Sequence, residues 1–491
     1  REDGVIFVSI DDNEVYHLRL LMNEVFGEEQ FVADIAVVNN LKGRSDRRYI
    51  ATAHEHLLMY TMPDFLSRGL SLTPEKIAEY DQVGEEGNRF QWRDLRKRGG
   101  ADTREERPNL FFPLHLNQET GELFMEPTED IDVTIYPRKS DGTDGCWRWG
   151  KARVAAHIRE LRASRVRETD RWNVYYRVYL KINGKPRTRK PKSVWIGSKY
   201  STDLAQRALK ELLPGLDIDA PPKAVGFVKD VVEQSTGSGD VCLDFFAGSC
   251  TTAQAILELN HEDGGGRRFV MVQLSEPLAE SQTLPDGLTV DSMSDVGKER
   301  IRRVIARMTE GDEEGQLSLD LRPNEDGPGA GLGFKVFRLA PSTFRQWEPP
   351  EGDSAEALEE QLALFDRGLE KGADPRDVIY EVILKLGYSL NATIEPLEPE
   401  TNRVFKVTGT SEVPVTSPDE ESEASDKPAP AKPSPGTSHP SHFFICLDDA
   451  LQDATIDALP LDKETTFVCL DTALDDSQKV NLAMQCLLKV I

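Results

Sequence analysis

Asp244-Phe245-Phe246-Ala247-Gly248-Ser249-Cys250-Thr251-Thr252-Ala253 decides the fold of this chain. Apolar residues over Asp240–Phe246 predict a strand, and Thr251–Leu259 a helix. Between them lies a turn of small residues. Such a turn lets backbone approach a nucleotide-like ligand closely and aims free helix N–H groups at it. Phe269–Leu274 reads as a second strand, so the unit is βαβ. Many α/β folds use this turn without a cofactor, and the flanking text carries the rest of the reading.

Upstream, Val225–Val232 reads as a helix. At the start, Val5–Ile10 reads as a buried strand, with Asp11 or Asp12 capping a following helix. Val15, Leu18, Leu21, Met22 and Val25 give that helix one apolar face, and Gly27 suits its C′ position. Capping explains Asp11-Asp12 more simply than a catalytic carboxylate pair. Phe31–Val38 and His56–Tyr60 are further strands, separated by a basic loop holding Lys42, Arg44, Arg47 and Arg48. Strand–helix–strand order predicts an α/β layer fold. His54 and His56 share a strand face, but no third metal ligand accompanies them. A strand this close to an Arg1 start, without an initiator methionine, reads as a truncated chain.

Downstream, residues 295–309 form a basic amphipathic helix. A Gly/Glu/Pro-rich link begins at 311. Gly333–Leu339 reads as a strand and 354–388 as helical. The stretch 411–442 holds seven prolines and no apolar periodicity, so disorder is expected. Strands Phe443–Leu447 and Thr466–Leu470 and a helix over 476–489 close the chain.

The 491 residues carry 59 Lys/Arg against 85 Asp/Glu, a formal charge of −26. That sum argues against a polyanion partner only if the charge is evenly spread. Residues 138–200 hold 18 Lys/Arg and 5 Asp/Glu, or +13, which leaves −39 elsewhere. The same segment contains Trp147, Trp149, Trp172, Tyr175, Tyr176, Tyr179, Trp195 and Tyr200. Basic residues interleaved with aromatics point to a nucleic-acid surface. The competing reading is a small β-domain with an aromatic core and solvated charges. Lys185, Arg187, Arg189, Lys190 and Lys192 form a run suited to phosphate contact. No apolar run approaches the roughly 18 residues of a membrane helix. Six scattered cysteines, with no CxxC and no metal spacing, read as reduced thiols of a cytoplasmic protein.

Asp-Phe-Phe-Ala-Gly-Ser-x-Thr-Thr-Ala resembles the S-adenosyl-L-methionine (AdoMet) motif of β-class DNA amino-methyltransferases. In that class a catalytic half precedes a target-recognition region, and the AdoMet half follows. More narrowly, the chain is similar to the Mod subunit of type III restriction–modification systems. The phrases that carry this are Asp3-Gly-Val-Ile-Phe-Val-Ser-Ile-Asp-Asp-Asn-Glu14, Phe90-Gln-Trp-Arg-Asp-Leu-Arg-Lys-Arg-Gly-Gly100, Arg107-Pro-Asn-Leu-Phe-Phe-Pro113 and Trp147-Arg-Trp-Gly150. Gly297-Lys-Glu-Arg-Ile-Arg-Arg303 and Gly333-Phe-Lys-Val-Phe-Arg338 continue it.

The resemblance implies a Rossmann-like AdoMet-dependent core with an inserted mixed α/β target-recognition domain and a smaller C-terminal αβ domain. The implied parts are 1–75 (catalytic half), 76–213 (recognition insert), 214–310 (AdoMet half), 311–410 (strand and helical region), 411–442 (linker) and 443–491 (C-terminal domain). The implied reaction is methyl transfer from AdoMet to adenine N6. The implied partners are double-stranded DNA, a second Mod chain and the Res helicase–nuclease. Asp244, Phe245, Phe246, Gly248, Cys250, Thr251 and Thr252 fall on the AdoMet motif. Lys223, in Pro222-Lys223-Ala224 where the family prefers Pro-Lys-Pro, is a further cofactor-side residue. Glu276 is the carboxylate available to ribose hydroxyls. Lys42, Arg44, Arg47 and Arg48 join the 185–192 run as expected DNA contacts.

Two departures matter. The family's Asp-Pro-Pro-Tyr supplies the acceptors and the stacking ring for the target amine. It occurs nowhere here, and Asp219-Ala220-Pro221-Pro222 lacks the aromatic. The expectation is a fragment, inactive alone, whose missing motif lies upstream. Cys250 stands where the family has Gly, at a cost of about 1 kcal/mol if its φ is positive. Both departures leave open an alternative, a non-catalysing DNA-recognition subunit for a helicase–nuclease. The long region after 311 speaks against a stand-alone methyltransferase.

Overall fold

The computed structural model describes residues 2–43, 48–84, 87–129, 131, 133–166, 171–218, 221–311, 332–345, 368–397, 401–409 and 442–491. They divide into two units, Arg1–Gly333 and Phe334–Ile491.

In the first unit, β1 (Val5–Ile10), α1 (Val15–Phe26), β2 (Phe31–Val38) and β3 (His54–Thr61) follow the apolar pattern closely. Asp11 does not cap α1. Its carboxylate accepts from the backbone and side chain of Asn13 instead, and Glu14 is the N-cap residue. Val15, Leu18, Met22 and Phe26 pack on the sheet. Leu21 and Val25, expected on that face, are 56% and 65% exposed. The helix buries a narrower stripe than its sequence offers.

The insert contributes β4 (Gln82–Val83), β5 (Arg89–Asp94), β6 (Leu161–Val166) and β7 (Arg171–Tyr179), hydrogen-bonded in the order β6-β7-β5-β4. One face of this sheet closes a core with Leu95, Phe112, Leu114, Trp147 and Val154. The aromatic-core reading of Trp147 and Trp149 therefore holds. The next strand, β8 (Val194–Ile196), pairs in parallel with β2. Residues 194–196 thus belong to the first sheet, ordered β1-β3-β2-β8, rather than to an insert running to 213.

Beyond it come α2 (Thr202–Leu212), α3 (Val225–Ser235), β9 (Val241–Asp244), α4 (Thr251–Asp263), β10 (Arg268–Met271) and α5 (Met293–Gly311). β9 and β10 pair in parallel, as βαβ connectivity requires. They form a separate two-stranded sheet among the described residues, so the expected single core sheet is not hydrogen-bonded through. Helices α3 and α4 nevertheless pack on both sheets. Phe227, Val232, Ile256 and Leu259 share one core with Ile35, Val37 and Leu57 of the first sheet and Cys242 and Phe269 of the second. The opposite face of β9–β10 is open, with Leu243 60% and Val270 48% exposed.

In the second unit, α6 (Pro375–Lys385) starts at an Asp374 cap with proline at N1. The helix expected over 354–388 is thus shorter at its C-terminal part, and 354–367 lie outside the described residues. Residues 333–339 form no strand. β11 (Thr393–Leu397), β12 (Val404–Thr408), β13 (His442–Cys446), β14 (Thr466–Cys469) and β15 (Leu487–Val490) make one sheet in chain order. Segments expected in separate regions, up to 410 and from 443, therefore share one sheet. The proline-rich stretch lies outside the described residues up to 441, and His442 already belongs to β13. The final helix, α7 (Asp476–Gln485), stops before Cys486, and 487–490 pair with β14 as a strand.

Candidate functional site

The turn after β9 is organised by its own polar groups. Asp244 Oδ1 accepts from the Phe246 N–H at 3.1 Å, and Oδ2 from Thr252 Oγ at 2.5 Å. The carboxylate thereby ties the strand end to the first turn of α4. The Ala247 N–H reaches the Val272 carbonyl at 3.1 Å, and the Gly248 N–H reaches Gln273 Oε1 at 2.6 Å. Gly248 (φ 52°) and Cys250 (φ 58°, ψ 40°) are both left-handed. Cys250 is the N-cap residue of α4, and no side chain caps that end. Its first N–H groups are free to meet an anion or a polar ligand. Phe245 and Phe246 are 49% and 83% exposed beside it.

Behind the turn stands a residue that the sequence did not flag. Arg300, on α5, is 1% exposed. Its Nη1 donates to Ser249 Oγ (2.9 Å), the Ser249 carbonyl (3.3 Å) and Thr251 Oγ1 (2.7 Å), and its Nε to Gln254 Oε1 (2.7 Å). Burial lowers its pKa to about 10, so the guanidinium stays charged at neutral pH. A buried cation thus fastens both sides of the Cys250 N-cap. The Cys250 thiol is buried, and burial, then the Asp244 charge, pushes its pKa up to about 11. It packs toward Gly297 of α5, where an added Cβ would lie 2.6 Å from Sγ. The side chain at 250 therefore fills a gap in α5 rather than the open side of the turn.

Other expected cofactor-side residues are placed differently. Lys223 precedes α3 and forms an ion pair with Glu55 of β3. Glu276 is exposed, and its backbone carbonyl accepts from the Met293 N–H. The side chain that reaches the turn from beyond β10 is Gln273, not Glu276. His56 is engaged by Asp34 at 2.9 Å.

The expected DNA-contact run splits. Lys185, Lys190 and Lys192 are exposed. Arg187 turns inward, donating from Nε to the Tyr179 carbonyl at 2.5 Å. Arg189 lies 3.9 Å from the buried Asp230 carboxylate of α3, which also holds Lys199 Nζ and Tyr200 Oη at 2.7 Å. Arg187 thus engages backbone through Nε and Arg189 lies beside Asp230, both half-buried, while the three lysines of the run are exposed. Lys42 and Arg48 are exposed in the loop between β2 and β3, and Arg44 and Arg47 lie outside the described residues. All six cysteines are free, and no helix among the described residues is long and apolar enough to cross a membrane.

Residues 1–282 match a family model described as DNA methylase. The type III restriction-modification enzyme EcoPI Mod subunit of Escherichia phage P1 is 35% identical over 314 residues, 63% of this chain and 48% of that protein. The type II methyltransferase M.KpnI of Klebsiella pneumoniae is 33% identical over 281 residues, 57% of this chain and 64% of that protein. The type III EcoP15I Mod subunit of Escherichia coli is 27% identical over 369 residues, 72% of this chain and 52% of that protein. The chain therefore spans 48% to 64% of the length of these relatives.

Proposed function

Because the chain belongs to the DNA methylase family, we propose that it is the cofactor-binding and DNA-reading part of a type III Mod subunit. The reaction served is methyl transfer from AdoMet to adenine N6 in double-stranded DNA. The observation that carries this is the β9–turn–α4 unit, which falls inside the family match and leaves the α4 N-terminus uncapped.

The residues present fit the cofactor. The N-terminal N–H groups of α4 and the exposed Phe246 ring offer polar and stacking contacts on one side of the turn. The Cys250 side chain is turned away into α5 and does not fill that side. AdoMet, when bound, supplies an electrophilic methyl on a sulfonium. Asp244 and Arg300 hold the turn in shape, and Gln273 pins the Gly248 N–H. Thr251 and Thr252 keep their hydroxyls engaged within the protein.

Adenine N6 is a poor nucleophile, and its protons need acceptors as the methyl arrives. Asp-Pro-Pro-Tyr is absent from these 491 residues, so no side chain here is assigned that role. This favours a second reading of the polypeptide itself, as a recognition subunit that binds AdoMet and DNA without transferring methyl. Partnership with a second Mod chain and with a Res helicase–nuclease follows from the same resemblance and stands as part of the proposal. Calorimetric titration with AdoMet, followed by tritiated-methyl transfer to duplex DNA, tests both. Binding without transfer is expected. A folded chain that binds no AdoMet contradicts the cofactor assignment, and methylated adenine contradicts the assignment of no acceptor.

A further inference from the structure

We infer that the open face of the β6-β7-β5-β4 sheet is the DNA-contact surface of the insert, in place of the 185–192 run; this rests on the DNA reading above. Directly opposed residues of antiparallel strands project from the same face. The register aligns Arg162 with Tyr175, Ser164 with Asn173 and Arg177 with Trp92. Arg171, Asn173, Tyr175, Arg177 and Tyr179 therefore alternate along β7 on one side, while Val174 and Tyr176 on the other enter the core. Arg162 stacks over Trp92 at 4.5 Å, and Arg177 over Phe90 at 5.1 Å.

Stacking fixes a guanidinium plane by its face and leaves its edge donors for another acceptor. Arg162 is exposed, so a phosphate oxygen can reach its donors, and Arg171 and Arg177 are half-buried beside it. The acid on this face, Asp94, is already neutralised by Arg98 at 2.7 Å. Glu79 and Asp81 border the hollow beside Trp92 and mark one limit of the basic surface. Three arginines on an aromatic, half-exposed sheet face complement a polyanion, and duplex DNA is the polyanion of the proposed reaction.

The test is fluorescence anisotropy of the full chain with a mixed-sequence DNA duplex and with the matching single strand, over a salt series. The double variant R162A/R177A is compared with K185A/K190A/K192A. Loss of two phosphate contacts weakens duplex binding about tenfold or more and lowers the slope of log K against log salt by about 1.8. The triple variant is expected to change both by less. Wild-type affinity and slope in R162A/R177A, with duplex still bound, overturn the sheet-face assignment and leave the DNA reading intact. Loss of single-strand binding alone overturns it as well. A wild-type chain that binds no duplex at low salt overturns the DNA reading and this inference with it. If the double variant loses its near-UV circular dichroism, R162E, a charge reversal at an exposed site, is tested instead against the same outcomes.

Discussion

Replacing Gly297 by alanine, in chains carrying either cysteine or glycine at 250, tests how α5 supports the turn. In the natural chain the new methyl lies 2.6 Å from Cys250 Sγ and 3.3 Å from the Gly248 carbonyl. The sulfur must retreat by about 1 Å to restore normal contact. Overpacking of this kind costs about 1–3 kcal/mol. Alanine inside α5 returns about 1 kcal/mol of helix propensity, so the net loss is about 0–2 kcal/mol. With glycine at 250 the sulfur is gone, and the helix gain dominates. Cys250→Gly alone removes about 1 kcal/mol of left-handed strain. It also unpacks a buried thiol and frees the unfolded backbone, so its own effect is small. The informative quantity is the coupling in the double-mutant cycle, where the propensity gain cancels, and about 1–3 kcal/mol is expected. Guanidinium denaturation followed by tryptophan emission reads the first unit, because Trp92, Trp147, Trp149, Trp172 and Trp195 lie within it and Trp347 alone lies outside. A coupling below about 0.5 kcal/mol refutes the idea that α5 and the turn are shaped to each other.

Arg300→Met keeps the length of the side chain and removes four hydrogen bonds, taking away the arginine donors to Ser249, Thr251 Oγ1 and Gln254 Oε1 inside the protein. A loss of about 2–4 kcal/mol from the first-unit transition is expected, together with weaker AdoMet binding; an unchanged melt and affinity would dismiss the latch. In the second unit, burial works against the Glu381 charge. Hydrogen bonds from Ser342 and Thr343, with Lys385 nearby, outweigh it and hold the carboxyl at about 2. A depressed folded pKa stabilises above the unfolded value near 4.5, and that stability is lost as pH falls toward 2. The contribution is at most about 3 kcal/mol. Glu381→Gln should therefore be less stable at pH 7 and show a flatter acid limb than wild type. Parallel acid limbs in the two proteins count against the assignment.

The turn was legible because small residues between a strand and a helix leave few alternatives. Its support was not, because Arg300 lies about fifty residues downstream in a helix whose other arginines face outward or pair with acids. Only packing distinguishes a buried arginine from a solvated one in a basic helix. The net charge hid the basic segment 138–200, which only a count by segment brings out. Within the insert the contiguous run 185–192 drew attention, yet Arg187 and Arg189 turn toward Tyr179 and Asp230. The period-two alternation in Arg171-Trp-Asn-Val-Tyr-Tyr-Arg-Val-Tyr179 separates a core face from an arginine–aromatic face. The strand expected at 333–339 did not form, because β-propensity alone does not decide a strand.

Hydrogen–deuterium exchange with and without AdoMet tests the central claim most directly. Slowed exchange at the amides of residues 246–254, at the turn and the first turn of α4, is the predicted result. AdoMet binding that leaves those amides unchanged while protecting another part of the chain would contradict the assignment.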